Sequence, residues 1–171
     1  MTVFRRRGFE AANMIDIAAM TGLQKSSLYH RFPGGKQQMA AEVAAAAGTH
    51  FATNLLAPFA SDAPLRDRVV AVGVNLAAFY EQGHAPCLLD VLSLGEPGQD
   101  AANCLRQAAL AWLDAFATIA RSGGANGSMA MQRAQDAVAA IEGGLILTRV
   151  TGNNQAFLRA IERLPNTLLG T

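Results

Sequence analysis

Cysteine is nearly absent: Cys87 and Cys104 are the two among 171 residues. That is too few for a disulfide framework and points to a cytoplasmic location. Charge is scarce as well. Charged residues make up 16% and hydrophobic residues 51%, which excludes the disordered class, whose chains are charge-rich and poor in apolar residues. No apolar run reaches the roughly 18–20 residues that span a bilayer. The arginines near the amino terminus are not followed by the apolar stretch of a secretory signal. No membrane partner is expected.

Catalytic and metal-binding constellations are missing too. His84 and Cys87 stand three apart beside Pro86, but no third ligand lies at fitting spacing, so no metal is expected. Gly34-Gly35-Lys36 is not a phosphate-binding loop. His30 occupies the place of its first glycine, and Gln37 replaces the Ser or Thr. With no Ser/His/Asp or paired-carboxylate pattern, the chain reads as a non-enzyme without a cofactor.

What is present is alanine, and a helical period almost throughout. Leu65, Val69, Val72, Leu76 and Phe79 keep the three-four spacing of an amphipathic helix. So do Leu105, Ala109, Trp112, Phe116 and Ile119, then Ala134, Val138, Ile141 and Leu145. Met39, Val43, Ala47, Phe51 and Leu55 mark another long helix from about Lys36. Turn residues separate these stripes at Pro58–Pro64, Gly83–Pro86, Gly95–Gly98, Ser122–Ser128 and Gly152–Asn154. The expected fold is all-α with about nine helices, three of them short and within the first 35 residues.

The net charge of +1 hides an asymmetry. Residues 1–50 hold six basic residues (Arg5, Arg6, Arg7, Lys25, Arg31, Lys36) against three acidic ones (Glu10, Asp16, Glu42). A basic head on a slightly acidic body suits a chain whose first part meets phosphate.

That head carries a recognisable local pattern. Asn13 is a good N-cap, with Asp16 three residues on as in a capping box. The helix it opens is expected to bury Ile15, Ala18 and Ala19. Met20-Thr21-Gly22-Leu23 breaks it, and a second helix follows over roughly residues 25–32 with Leu28 and Phe32 inward. Two short helices joined by a tight glycine turn make a helix-turn-helix. Gln24, Lys25, Ser26 and Ser27 stand at the amino end of the second helix, where such side chains bond base edges. Tyr29 and His30 can donate to phosphate one turn on, and Lys36, opening the next helix, is a further phosphate candidate. Each of these, taken singly, could also be a plain solvated residue.

The run G-F-x-x-x-x-M-x-D-I-A-x-x-T-G-L-x-K-x-S-L-Y-H-x-F-P-G-G-K-x-x-M, from Gly8 to Met39, resembles the amino-terminal domain of TetR-family regulators. It is most similar to the branch with Phe32-Pro33-Gly34-Gly35-Lys36. Ile141-Glu142-Gly143-Gly144-Leu145 and the following residues are a looser match to that branch's ligand-binding domain. The resemblance implies a helix-turn-helix DNA-binding domain over 1–45 and a helical effector-binding and dimerisation domain over 46–171. It also implies a homodimer on a palindromic double-stranded operator, acting as a repressor released by a small-molecule effector.

In that family the first helix begins well before the position of Phe4, so the first helix is expected to be short here. The apolar face of Phe9, Ile15, Leu28 and Phe32 would then be exposed. A helical ligand-binding dimer that has lost DNA binding is the alternative this raises. For the effector pocket the candidates are Phe79, Tyr80, Trp112 and Phe116, with His84 and Asp90 as polar contacts; an ordinary aromatic core is the competing reading. For the dimer interface they are Ala140, Gly143, Gly144, Phe157, Ile161 and Leu164 on the last two helices, which pair into a four-helix bundle.

Overall fold

A computed structural model describes residues 2–170. Among them it shows nine α-helices and no strand. They are α1 (Thr2–Ala11), α2 (Met14–Thr21), α3 (Lys25–Arg31), α4 (Gly35–His50), α5 (Leu65–Phe79), α6 (Leu88–Ser93), α7 (Gln99–Ser122), α8 (Gly127–Thr151) and α9 (Gln155–Leu169). A π-helical segment, Phe51–Leu55, follows α4 directly, and two 3-10 segments, Ala57–Ala60 and Glu81–Gly83, lie before and after α5. No described helix is long and apolar enough to cross a membrane.

The chain forms two compact units. The first comprises Met1–Thr49 and Cys87–Ala109, the second His50–Pro86 and Leu110–Thr171.

In the first unit, Phe4, Phe9, Ala12, Ile17, Leu28, Met39, Leu88, Leu92 and Leu105 join in one apolar core. Helix α1 breaks at Gly8 (φ 71) and packs against α6. This corrects the expected open face. Phe9 and Leu28 are buried and Phe32 half-buried, because Val3 and Phe4 of α1 and Leu88 and Leu92 of α6 cover them. Ile15 is the exception, 68% exposed. An open apolar groove of about 500 Å³ also remains, lined by Phe4, Ile17, Met20, Leu28, Phe32 and Val43 among others.

Helix α2 differs from expectation in the side it buries. Asn13 caps it as expected, its Oδ1 accepting from the Ile15 and Asp16 amides at 3.0 and 2.9 Å. That cap starts the helix at Met14, and Met14, Ile17 and Ala18 turn inward at the three-four spacing. Ile15 and Ala19 turn outward. The Asp16 carboxylate, read as half of a capping box, is held by Arg7.

In the second unit α9 packs against α8 and α5. Val69, Val72 and Leu76 of α5, Trp112, Phe116 and Ile119 of α7, and Ala134, Ile141 and Leu145 of α8 are buried. These are the stripes the period selects. Close packing rests on Gly144, where a Cβ would stand 2.6 Å from the Phe157 Cα. No larger residue fits there without parting the two helices.

Candidate nucleic-acid interface

Helices α2 and α3 are joined by Thr21-Gly22-Leu23-Gln24. Gly22 takes the left-handed conformation (φ 69) that ends α2, which a residue with a Cβ adopts only under strain. Thr21 Oγ1 donates to the Ile17 carbonyl at 2.8 Å and closes the last turn of α2. Helix α3 then runs for seven residues, with Leu28 as its one buried side chain. Leu28 is thus the anchor, and the rest of α3 faces solvent.

The candidate readers share that exposed surface. Gln24 is the N-cap residue of α3, and its side chain makes no capping bond. Lys25, Ser26 and Ser27 are exposed, as are Tyr29 and His30 one turn on. The Lys25 ammonium stands 5.9 Å from the centre of the Tyr29 ring, at the edge of a cation–π contact. The structure therefore brings six of the seven predicted residues onto one short, outward helix.

Lys36 is held differently. Its Nζ donates to the Phe9 carbonyl at 2.9 Å and contacts the Glu10 carbonyl at 3.4 Å. It also lies 4.2 Å from the centre of the Phe9 ring. An ammonium on the last carbonyls of a helix satisfies groups that the helix leaves unpaired and complements its dipole. Lys36 thus ties α1 to α4, with a third donor left for an anion.

The other candidates divide. Tyr80, Trp112 and Phe116 are buried in the second unit and Phe79 is half-buried. Their rings form a chain: Phe79 on Tyr80 at 5.0 Å, Tyr80 on Phe157 at 6.0 Å, and Trp112 on Phe116 at 5.8 Å. Phe51, which the sequence reading omitted, belongs with them, 4.8 Å from Trp112 and 6.3 Å from Phe79. It is the first residue of the π-helical segment, which a helical stripe of apolar positions does not reveal. His84 is exposed beyond the turn after α5, and Asp90 lies on α6 in the first unit.

The residues proposed for a dimer interface differ in exposure. Gly144, Phe157 and Leu164 are buried inside the second unit, and Ile161 packs on Gly73 of α5. Gly144 and Phe157 meet in the contact between α8 and α9, and Ile161 and Leu164 lie against Gly73 of α5. Ala140 is exposed, and the Gly143 Cα has open space beside it. Ile146, Leu147 and Val150 of the same helix are also exposed, the last two at 50% and 75%. With Ile141 and Leu145 inward, Ala139, Gly143, Ile146 and Val150 fall together on another face.

With this geometry in view, known proteins can be compared. Residues 1–43 match the family described as bacterial regulatory proteins, tetR family. A TetR transcriptional regulator from Legionella pneumophila superposes with a TM-score of 0.86 at 15% identity, over 97% of this chain and 91% of that one. The fold is that of a TetR-type regulator. Another from Agrobacterium tumefaciens gives 0.84 at 15% identity, over 96% and 90%. E. coli NemR in its reduced form gives 0.79 at 17% identity, also over 96% and 90%. No curated protein matches the chain by sequence. Among the described residues, no group of three or more His, Cys, Asp or Glu side chains could hold a metal ion.

Proposed function

We propose that this chain is a transcriptional repressor that binds a palindromic operator as a homodimer and leaves it when a small-molecule effector binds. The observation that carries this reading is the solvent-facing surface of α3. Gln24, Lys25, Ser26, Ser27, Tyr29 and His30 project from a helix anchored by Leu28 alone. Lysine bonds guanine O6 and N7, and glutamine or serine bonds exposed base donors and acceptors. Tyr29 and His30 serve the phosphates and set the register.

The α8 face of Ala139, Ala140, Gly143, Ile146, Leu147 and Val150 supports the dimer. Small residues let two helices approach, and the apolar residues supply area to bury. Two subunits would present two copies of α3 to successive major grooves, roughly 34 Å apart. The effector acts from the aromatic cluster of the second unit by favouring a spacing of the two reading helices that no longer fits those grooves.

A mobility shift with the DNA upstream of the chain's own gene, repeated across salt concentrations, tests the reading. A retarded species that weakens steeply with salt is expected. Retention of the dimer with no retarded species at low salt would favour the ligand-binding dimer instead.

A further inference from the structure

We infer that the turn after α5, Tyr80–Ala85, is a two-state element: α9 clamps it in a left-handed form, and its release lets α5 run on by one turn. The regulatory use of this element rests on the effector-responsive reading above. The element itself does not.

Among the described residues, Glu81 (φ 50) and Gln82 (φ 56) are the only ones other than glycine with positive φ, and they are adjacent. Helices α2 and α8 are left through glycine, at Gly22 and Gly152. After α5 the glycine comes late, at Gly83. A Cβ in this conformation disfavours the local form about five- to thirtyfold per residue. Glutamate and glutamine are also good helix formers. Both side chains are exposed, so no burial of their own holds them there. Local preference thus points to a longer α5. Tyr80 already stands near helical geometry (φ −91, ψ 15), so the departure begins at Glu81.

What opposes that preference comes from α9. Asn154 Nδ2 donates to the Gln82 carbonyl at 2.8 Å. Gly83 is buried against Phe157, where a Cβ would stand 2.9 Å from the ring Cδ1. The Gly83 and Ala85 amides both donate to the Tyr80 carbonyl, at 2.8 and 2.9 Å. In a continued helix that carbonyl takes the His84 amide instead, so the two forms exclude each other. Strain that a neighbouring element imposes on adjacent residues recurs in switch regions.

The clamp is also placed to be moved. Phe157 meets Gly144 of α8 through its backbone, so a shift of α9 along α8 reaches Gly83. Beyond the turn the chain leaves the second unit at Pro86, and α6 begins at Leu88. Adding Tyr80–Gly83 to α5 turns that stretch into about 6 Å of helix and leaves His84–Cys87 as the whole lead into α6.

Asn154 makes no capping bond to α9, so Asn154→Ala removes the clamp without uncapping that helix. In the whole chain, NMR of Glu81 and Gln82 reads the turn. A left-handed residue shows a strong Overhauser effect between its own amide and Hα, whereas helical residues show it between successive amides. The wild type should give the left-handed pattern and Asn154→Ala the helical one through Gly83. Adding Glu81→Gly and Gln82→Gly removes the left-handed cost, weakens the longer helix, and should restore the wild-type turn. Asn154→Ala should lower operator affinity about fivefold or more, and the two glycines should recover it. A turn that stays left-handed in Asn154→Ala, or loses order without becoming helical, overturns the inference. If Asn154→Ala does not fold, the two glycines alone should raise the urea midpoint of the wild type, and a midpoint that does not rise overturns it. A turn that switches with operator affinity unchanged overturns the regulatory use. Switching in a chain whose wild type retards no DNA removes the regulatory reading and leaves the two-state turn standing.

Discussion

The first unit holds its functional helix by one side chain, whereas the second buries its long helices along whole faces. Helix α3 spans seven residues and buries only Leu28. Helix α8 spans 25 residues and buries seven, among them Ile141, Gly144 and Leu145. The difference fits the roles proposed for the two helices. A helix that enters a groove has to leave most of its surface free, so its position depends on an anchor and on capped neighbours. A helix proposed to carry a subunit contact can spend one face on α9 and still present another.

The largest expected effect tests that anchor. Leu28→Ala should cost about 3 kcal/mol by cavity formation. Hydrogen exchange should show lost protection in α2 and α3 while α8 stays protected, and comparable loss in both would break the contrast between the units. Next is Gly144→Ala. A methyl group 2.6 Å from the Phe157 Cα should part α8 from α9 and cost about 1–3 kcal/mol in urea unfolding. Lys36→Ala should cost about 1–2 kcal/mol, because the carbonyls of Phe9 and Glu10 lose a charged donor. If it weakened DNA binding with no change in thermal midpoint, Lys36 would be a phosphate contact only. The smallest is Asn13→Ala, worth about 1 kcal/mol for the lost cap of α2. Asn13→Asp should restore most of it, which separates capping from a general effect of substitution.

Much of this architecture was legible in the sequence. The stripes through Val69, Val72 and Leu76 and through Trp112, Phe116 and Ile119 marked buried faces directly. The Asn13 cap and the Gly22 turn fixed the helix-turn-helix. Where the reading failed, a local choice outweighed the period. The core formed with Val3, Phe4 and Leu92 takes Met14, Ile17 and Ala18 of α2, so Ile17 went inward in place of Ile15. Gly143 and Gly144 look alike in sequence, yet one lies open and the other takes up the Phe157 backbone. Phe51 stood on the stripe from Met39, but α4 ends at His50 and a π-helical segment shifts the register there, so its place in the ring cluster was not legible. The covered face of Phe9 and Leu28 depends on α6, distant in sequence, and no local pattern reveals that packing.

The central claim is that α3 reads DNA sequence through Lys25. Duplexes enriched from a random pool by the intact chain supply the target, and scrambled versions supply the reference. Lys25→Ala should reduce the ratio of the two affinities by about 1–3 kcal/mol, roughly five- to 150-fold, while leaving scrambled binding nearly unchanged. No enrichment from the pool, or a Lys25→Ala chain with the discrimination of the wild type, would contradict the account.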